Sequence, residues 1–311
     1  MENKSSASAQ AEHRDVYEII TEQIIGHLEK GTVPWKQPWQ EAGIPKNLVS
    51  QRPYRGINVW LLSLKGYEKN YFLTMKQANQ LGASISKEQP GHIIVYWNYI
   101  DEEKKEENGN GKLNGKRKAP LLRYYKVFNV AQCEGIPEHL LGPVQREAYP
   151  IPACEKIIEN MPQCPQIRHK ENQAYYNALA DFINMPKKGS FKSDESYYAT
   201  LFHELVHSTG HHSRLSRSTL IQMAEWGSEQ YTHEELVAEM GASFLESLTG
   251  IFQSEVERNA AYIQGWISKL KHDKRFILSA SSHAQKAVDF ILNVKFEEKE
   301  AAEEKDEEAQ P

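Results

Sequence analysis

The sequence predicts an α+β protein of two domains, an N-terminal α/β domain and a C-terminal, mainly helical domain with a small mixed sheet. Three observations carry this. The 311 residues are enough for two domains of ordinary size, each with its own core. A Pro-dotted passage from Ile136 to Pro152 divides the chain as a linker. Helices and strand-like segments mix before it, whereas helical periodicity dominates the later part of the second half. The expected boundaries are a disordered 1–13, a first domain 14–135, a linker 136–152, a second domain 153–295 and an acidic tail 296–311.

Each element has a local reason. Val16, Tyr17, Ile20, Ile24 and Leu28 recur at helical spacing, which predicts a helix over 14–30 ended near Gly31. Two prolines keep Gly31–Trp39 irregular, and Tyr54–Asn58 opens an apolar helix through Leu64. Thr74–Ala78 begins a short helix that Gly82 can cap. His92–Tyr99 and Leu121–Val130 are strand-like, and the charged and Gly/Asn/Lys-rich stretch 101–118 between them reads as a mobile hairpin insertion. After the linker come a helix over Cys154–Met161 and strands around Ile167–His169 and Tyr175–Ala180. Four helices follow, at Glu195–Thr209, Glu234–Leu248, Glu257–Lys271 and Ser279–Leu292.

Composition narrows the function classes. With 40% hydrophobic and 25% charged residues the chain is of the soluble globular type. The first fifteen residues lack the apolar core of a signal peptide, and no apolar run has membrane-spanning length. Cys133, Cys154 and Cys164 form neither a disulfide framework nor a CxxC metal site, which predicts reduced thiols and a cytoplasmic protein with no membrane partner. The net charge of −5 is uneven: residues 1–135 hold 19 Lys+Arg against 15 Asp+Glu, residues 136–311 hold 18 against 27. The first half thus leans mildly basic, as a polyanion partner allows.

His203-Glu204-Leu205-Val206-His207 is an HExxH pattern within a predicted helix. Histidines four apart lie one above the other on a helix face and can grip one ion, while the glutamate beside the first can take a proton from water. His203 and His207 are therefore the expected metal ligands and Glu204 the expected general base, with Zn2+, or another divalent ion such as Mn2+, as cofactor. A third protein ligand is required, and the downstream helix offers Glu234, Glu235 and Glu239. Glu235 and Glu239 share a face, and spacing alone leaves open which of them ligates.

The first domain sets aromatic residues beside basic ones at Trp35-Lys36, Trp39, Tyr54-Arg55, Lys76 and Tyr124-Tyr125-Lys126. Single-stranded nucleic acid is held by such mixtures, bases stacking on rings and phosphates meeting cations, although the same rings are ordinary core material.

The runs GTVPWKQPW (31–39), YRGIN (54–58), LTMKQANQLG (73–82), YW (96–97) and KVFNVAQCEG (126–135) together resemble the ArdC N-terminal domain of plasmid antirestriction proteins and TraC-type primases. The stretch from AYYNALADFINMP through HELVHSTGH, HHSRLSR and EELVAEMGASFL is similar to the zincin-like metallopeptidase domain that accompanies it. The resemblance covers 14–292, leaving the 101–118 insertion and the acidic tail without a family motif. It implies nonspecific binding of single-stranded DNA, with Trp35, Lys36, Trp39, Tyr54, Arg55, Asn58, Lys76 and Lys126 as contacts, and protection of incoming plasmid DNA from restriction. It also implies a peptidase-type centre in which Glu235 ligates and Glu239 braces a ligand histidine, with the reverse assignment left open. In zincins an edge strand precedes the metal helix and receives the peptide; Ala174–Asp181 fits that place, with Tyr175 or Tyr197 as an oxyanion donor. The protein substrate would be a restriction subunit or a DNA-associated host protein. The alternatives are a DNA-covering protein with a structural metal site, and a cytosolic metalloprotease with an accessory domain.

Overall fold

The computed structural model describes residues 15–36, 43–103, 116–141, 149–221, 229–251 and 260–294. The expectations for 1–13 and the acidic tail 296–311 lie outside these residues, as do parts of the insertion (104–115) and of the linker (142–148).

The N-terminal half begins with α1 (Val16–Glu29), whose N-terminus is capped by the Asp15 carboxylate accepting from the Tyr17 N–H at 3.1 Å. A four-stranded sheet follows in the order β1 (Lys46–Asn47), β2 (Tyr71–Leu73), β5 (Lys116–Asn129), β4 (His92–Glu103), with β1 parallel to β2 and the rest antiparallel. Between these strands lie α2 (Ile57–Ser63) and α3 (Met75–Gln80), the latter opened by a reciprocal Thr74–Gln77 capping box. β3 (Ser84–Ile85) pairs with β6 (Cys133–Glu134). The β4–β5 ladder runs further than expected, through Glu103 and from Lys116, with Asp101, Glu102 and Glu103 in register with Lys118, Arg117 and Lys116.

The C-terminal half starts with α4 (Pro150–Asn160), earlier than expected because proline suits the first turn of a helix. A three-stranded sheet has the order β7 (Gln166–Arg168), β9 (Phe182–Asn184), β8 (Tyr175–Asn177), which leaves β8 at the edge. The helices α5 (Asp194–Ser208), α6 (Ser218–Ile221), α7 (Glu229–Thr249), α8 (Ala260–His272) and α9 (Phe276–Ile291) complete it. Among the described residues no helix is long and apolar enough to cross a membrane.

The halves do not keep separate cores. One cluster of buried apolar side chains extends from Val16 to Ile291, and a smaller one gathers Leu48, Leu73, Ala78, Ala83 and Val130. Trp60 meets Phe244 edge-on at 5.7 Å, and Thr21 donates to the Lys274 carbonyl at 3.0 Å. The reason is that α1 and α2 carry apolar faces their own sheet leaves unfilled, and α8 and α9 fill them.

Candidate metal centre

Two helices build the site. α5 is capped by Ser193, whose hydroxyl accepts from the Ser196 N–H, and carries Asp194 and Glu195 in its first turn, where the helix dipole favours them. α7 crosses it closely because Gly241 has no side chain: a Cβ there would lie 2.7 Å from Val206 Cγ2. That approach carries the start of α7 to the polar face of α5.

There His203 Nε2 and His207 Nε2 stand 3.1 Å apart. Glu235 presents Oε2 at 3.5 Å from His203 Nε2 and Oε1 at 3.5 Å from His207 Nε2. Among the described residues these three are the group of potential ligands whose atoms converge, all within 4.8 Å of one another. Two imidazole nitrogens bound tetrahedrally to one zinc-sized ion stand about 3.3 Å apart. The donor set, two imidazoles and one carboxylate, fits a divalent ion.

His207 is buried, and its other nitrogen, Nδ1, lies 3.4 Å from Glu234 Oε1. Glu234, 4% exposed, accepts from Arg217 Nε at 3.1 Å, Arg217 Nη2 at 2.6 Å and Thr219 Oγ1 at 2.7 Å. Buried Arg217 also donates to the Val206 and His207 carbonyls and to Thr209 Oγ1. Burial pushes the Glu234 carboxyl up, but His207 and Arg217 outweigh it and hold it at about 2. Burial likewise raises and the two histidines lower Glu235, leaving it well below the carboxylate range. Burial opposes charge on His207, but Glu234 and Glu235 together raise its pKa. The chain Arg217–Glu234–His207 thus aims Nε2 toward Glu235.

Glu204 is buried beside this group, in a cleft shared with Tyr231 and the strand residues Tyr175–Asn177. Tyr231 hydrogen-bonds Glu235, and burial followed by the Glu235 charge pushes its phenol up to about 12, so it stays a donor at neutral pH. Tyr175 lines the same cleft and donates to Glu171 at 3.1 Å. Tyr197 is buried against His169 and does not line the cleft.

Glu239 takes a different place. One turn beyond Glu235, its Oε2 accepts from Trp35 Nε1 at 2.9 Å and from the Tyr262 hydroxyl. Glu239 braces neither His203 nor His207 as expected, because Trp35 and Tyr262 reach it from the domain junction; Glu234 stands beside His207 instead.

Of the expected nucleic-acid contacts, Trp35 and Tyr54 are corrected by burial, while Arg55 and Asn58 are engaged within the chain. Trp35 is 1% exposed and packs edge-on against Trp266 at 5.5 Å, so its ring has no face for a base. Tyr54 is buried against Phe72. Arg55 pairs with Asp289 at 2.5 Å, and the next N–H, from Gly56 at φ 54°, donates to Gln285 at 3.0 Å. Asn58 brackets the Val95 backbone, donating to its carbonyl and accepting from its N–H at 2.8 Å each. Lys76 and Lys126 are exposed. The Lys36 side chain and Trp39 lie outside the described residues.

Residues 14–128 match the family described as the N-terminal domain of anti-restriction factor ArdC, and residues 152–283 match that described as zincin-like metallopeptidase. A DNA primase TraC of Escherichia coli is 34% identical over 305 residues; the alignment takes in 92% of this chain but spans only 28% of the primase. The antirestriction ArdC protein of plasmid R388 is 35% identical in two crystal structures. The metal-free one has a TM-score of 0.72 over 89% of this chain and 97% of that one. The Mn(II)-bound one has a TM-score of 0.71 over 91% of this chain and 100% of that one.

Proposed function

The chain belongs to the ArdC antirestriction family, and on that premise we propose that it binds single-stranded DNA nonspecifically and shields incoming plasmid DNA from restriction during conjugation. It acts in the cytoplasm and carries a metal-dependent peptidase centre. The observation that carries the second part is the convergence of His203, His207 and Glu235 beside the buried carboxylate of Glu204, in a cleft bordered by the edge strand β8. A purely structural metal site needs ligands but no such base.

His203, His207 and Glu235 would hold the ion, zinc or manganese. When bound, it would polarise the scissile carbonyl and make water more acidic. Glu204 takes the proton of the attacking water and passes it to the leaving amine. Tyr231, rather than Tyr175 or Tyr197, donates to the oxygen on which charge develops. A substrate strand adds to β8, its backbone pairing with Tyr175–Asn177. The substrate class is a protein met on the transferred DNA, such as a restriction subunit or a host protein coating the single strand.

Glu204→Ala is the test, with metal content and plasmid protection measured together. The expected outcome is full metal content with protection lost. Full protection would sink the enzymatic account and leave a DNA-covering protein with a structural metal.

A further inference from the structure

We infer that single-stranded DNA lies across one face of the β4–β5 hairpin, stacked on Trp97 and Tyr124 and tied by Lys126. This rests on the single-stranded DNA reading above and gives it a surface.

Residues opposite one another in an antiparallel pair share a sheet face, as do residues two apart on a strand. Val95 pairs with Tyr124, Trp97 with Leu122 and Ile93 with Lys126, so all six lie on one face. Val95 and Leu122 are covered, whereas Trp97 and Tyr124 remain 44% and 40% exposed and Lys126 is exposed. Large aromatic rings left open on a sheet are unusual, because each forgoes the burial that stabilises a core ring.

The three open side chains are in line. Trp97 and Tyr124 are diagonal neighbours, about 7–8 Å apart at the backbone, and Lys126 follows two residues on. This is an aromatic, aromatic, cation row. Tyr17 of α1 meets Trp97 edge-on at 6.4 Å and steadies the indole, and the Arg275 guanidinium lies 5.2 Å from the Tyr17 ring centre. Gly91 makes room for the Lys126 stem: a Cβ there would lie 2.9 Å from Lys126 Cβ.

Charge favours a polyanion. Over 92–100 and 119–129 the two strands carry no Asp or Glu; Lys126 is the cation of this face, Arg123 lies on the other, and the acids of β4 begin at Asp101, in register with Lys118. Bases can stack on these rings only when unpaired, which selects a single strand over a duplex.

Binding of a labelled oligothymidylate, followed by anisotropy and by tryptophan quenching, tests this. Trp97→Ala and Tyr124→Ala should each weaken binding about tenfold or more, with unchanged metal content and melting temperature. Trp97→Phe should keep most of the affinity yet lose part of the quenching. Lys126→Gln should lower the salt dependence by about 0.7 in the log–log slope. If the wild type binds and the Trp97→Ala/Tyr124→Ala double variant binds equally well, this surface is wrong while the DNA reading stands. Unaltered quenching in Trp97→Phe overturns it too. If the wild type does not bind the oligonucleotide at low salt, the DNA reading itself falls, and this inference with it.

Discussion

Glu235 and Glu239 stand one turn apart on α7, and their carboxylates meet opposite kinds of partner. Glu235 is partly open and faces two imidazole nitrogens that converge with it, a geometry completed by a cation. Glu239 accepts from an indole and a phenol, neutral donors that stabilise its charge without an ion. The first faces the candidate metal site and the second the seam between the domains. One helix therefore serves both, and a carboxylate's role follows from which neighbouring element reaches it.

The largest effect should come from exchanging these two. Glu235→Ala should abolish metal uptake, whereas Glu239→Ala should leave it intact and lower stability instead. Metal content of the purified variants decides this, and loss of metal in Glu239→Ala would erase the distinction.

An intermediate effect concerns the brace behind His207. Glu234→Gln should weaken metal binding about 10–100-fold and change its pH dependence. Glu234 and Glu235 raise His207 above its ordinary value, so in the metal-free protein the pairing of charged His207 stabilises the fold below the unfolded pKa of about 6.5. That stabilisation is lost as pH rises through the folded value. An incoming ion must displace this proton, so affinity should climb with pH through neutrality. With one carboxylate removed, the climb should level off at lower pH. Titration calorimetry across pH checks this, and an unshifted profile would remove Glu234 from the account.

The smallest effect lies at the seam. Trp35→Phe keeps an aromatic ring but deletes the hydrogen bond to Glu239. It should cost about 1.5–3 kcal/mol and lower Tm by several degrees, with metal content unchanged. A wild-type Tm would show that this bond contributes nothing to joining the halves.

These contrasts mark what could be read from residues alone. His203, Glu204 and His207 were legible because four-residue spacing fixes a helix face whatever the helix packs against. Glu235 was legible as one of three carboxylates, but the rotation of α7 was not. It depends on Gly241 against Val206 and on Arg217 returning from beyond α5 to hold Glu234, contacts with no local signature. Trp35 and Tyr54 misled for a related reason. A ring beside a cation looks alike in sequence whether it awaits a base or another domain, and burial separates the cases only after folding. Trp97 and Tyr124 carry the same composition and end up outside.

The continuous packing from Val16 to Ile291 bears on how such a sequence is inherited. Cutting at the Pro-rich join would strip cover from Trp35 and Trp60 together, leaving two sticky halves instead of two working parts. The smallest transferable cassette is then the pair. The primase of Escherichia coli is consistent with that, for the alignment with its much longer chain takes in 92% of this one, both halves in a single block.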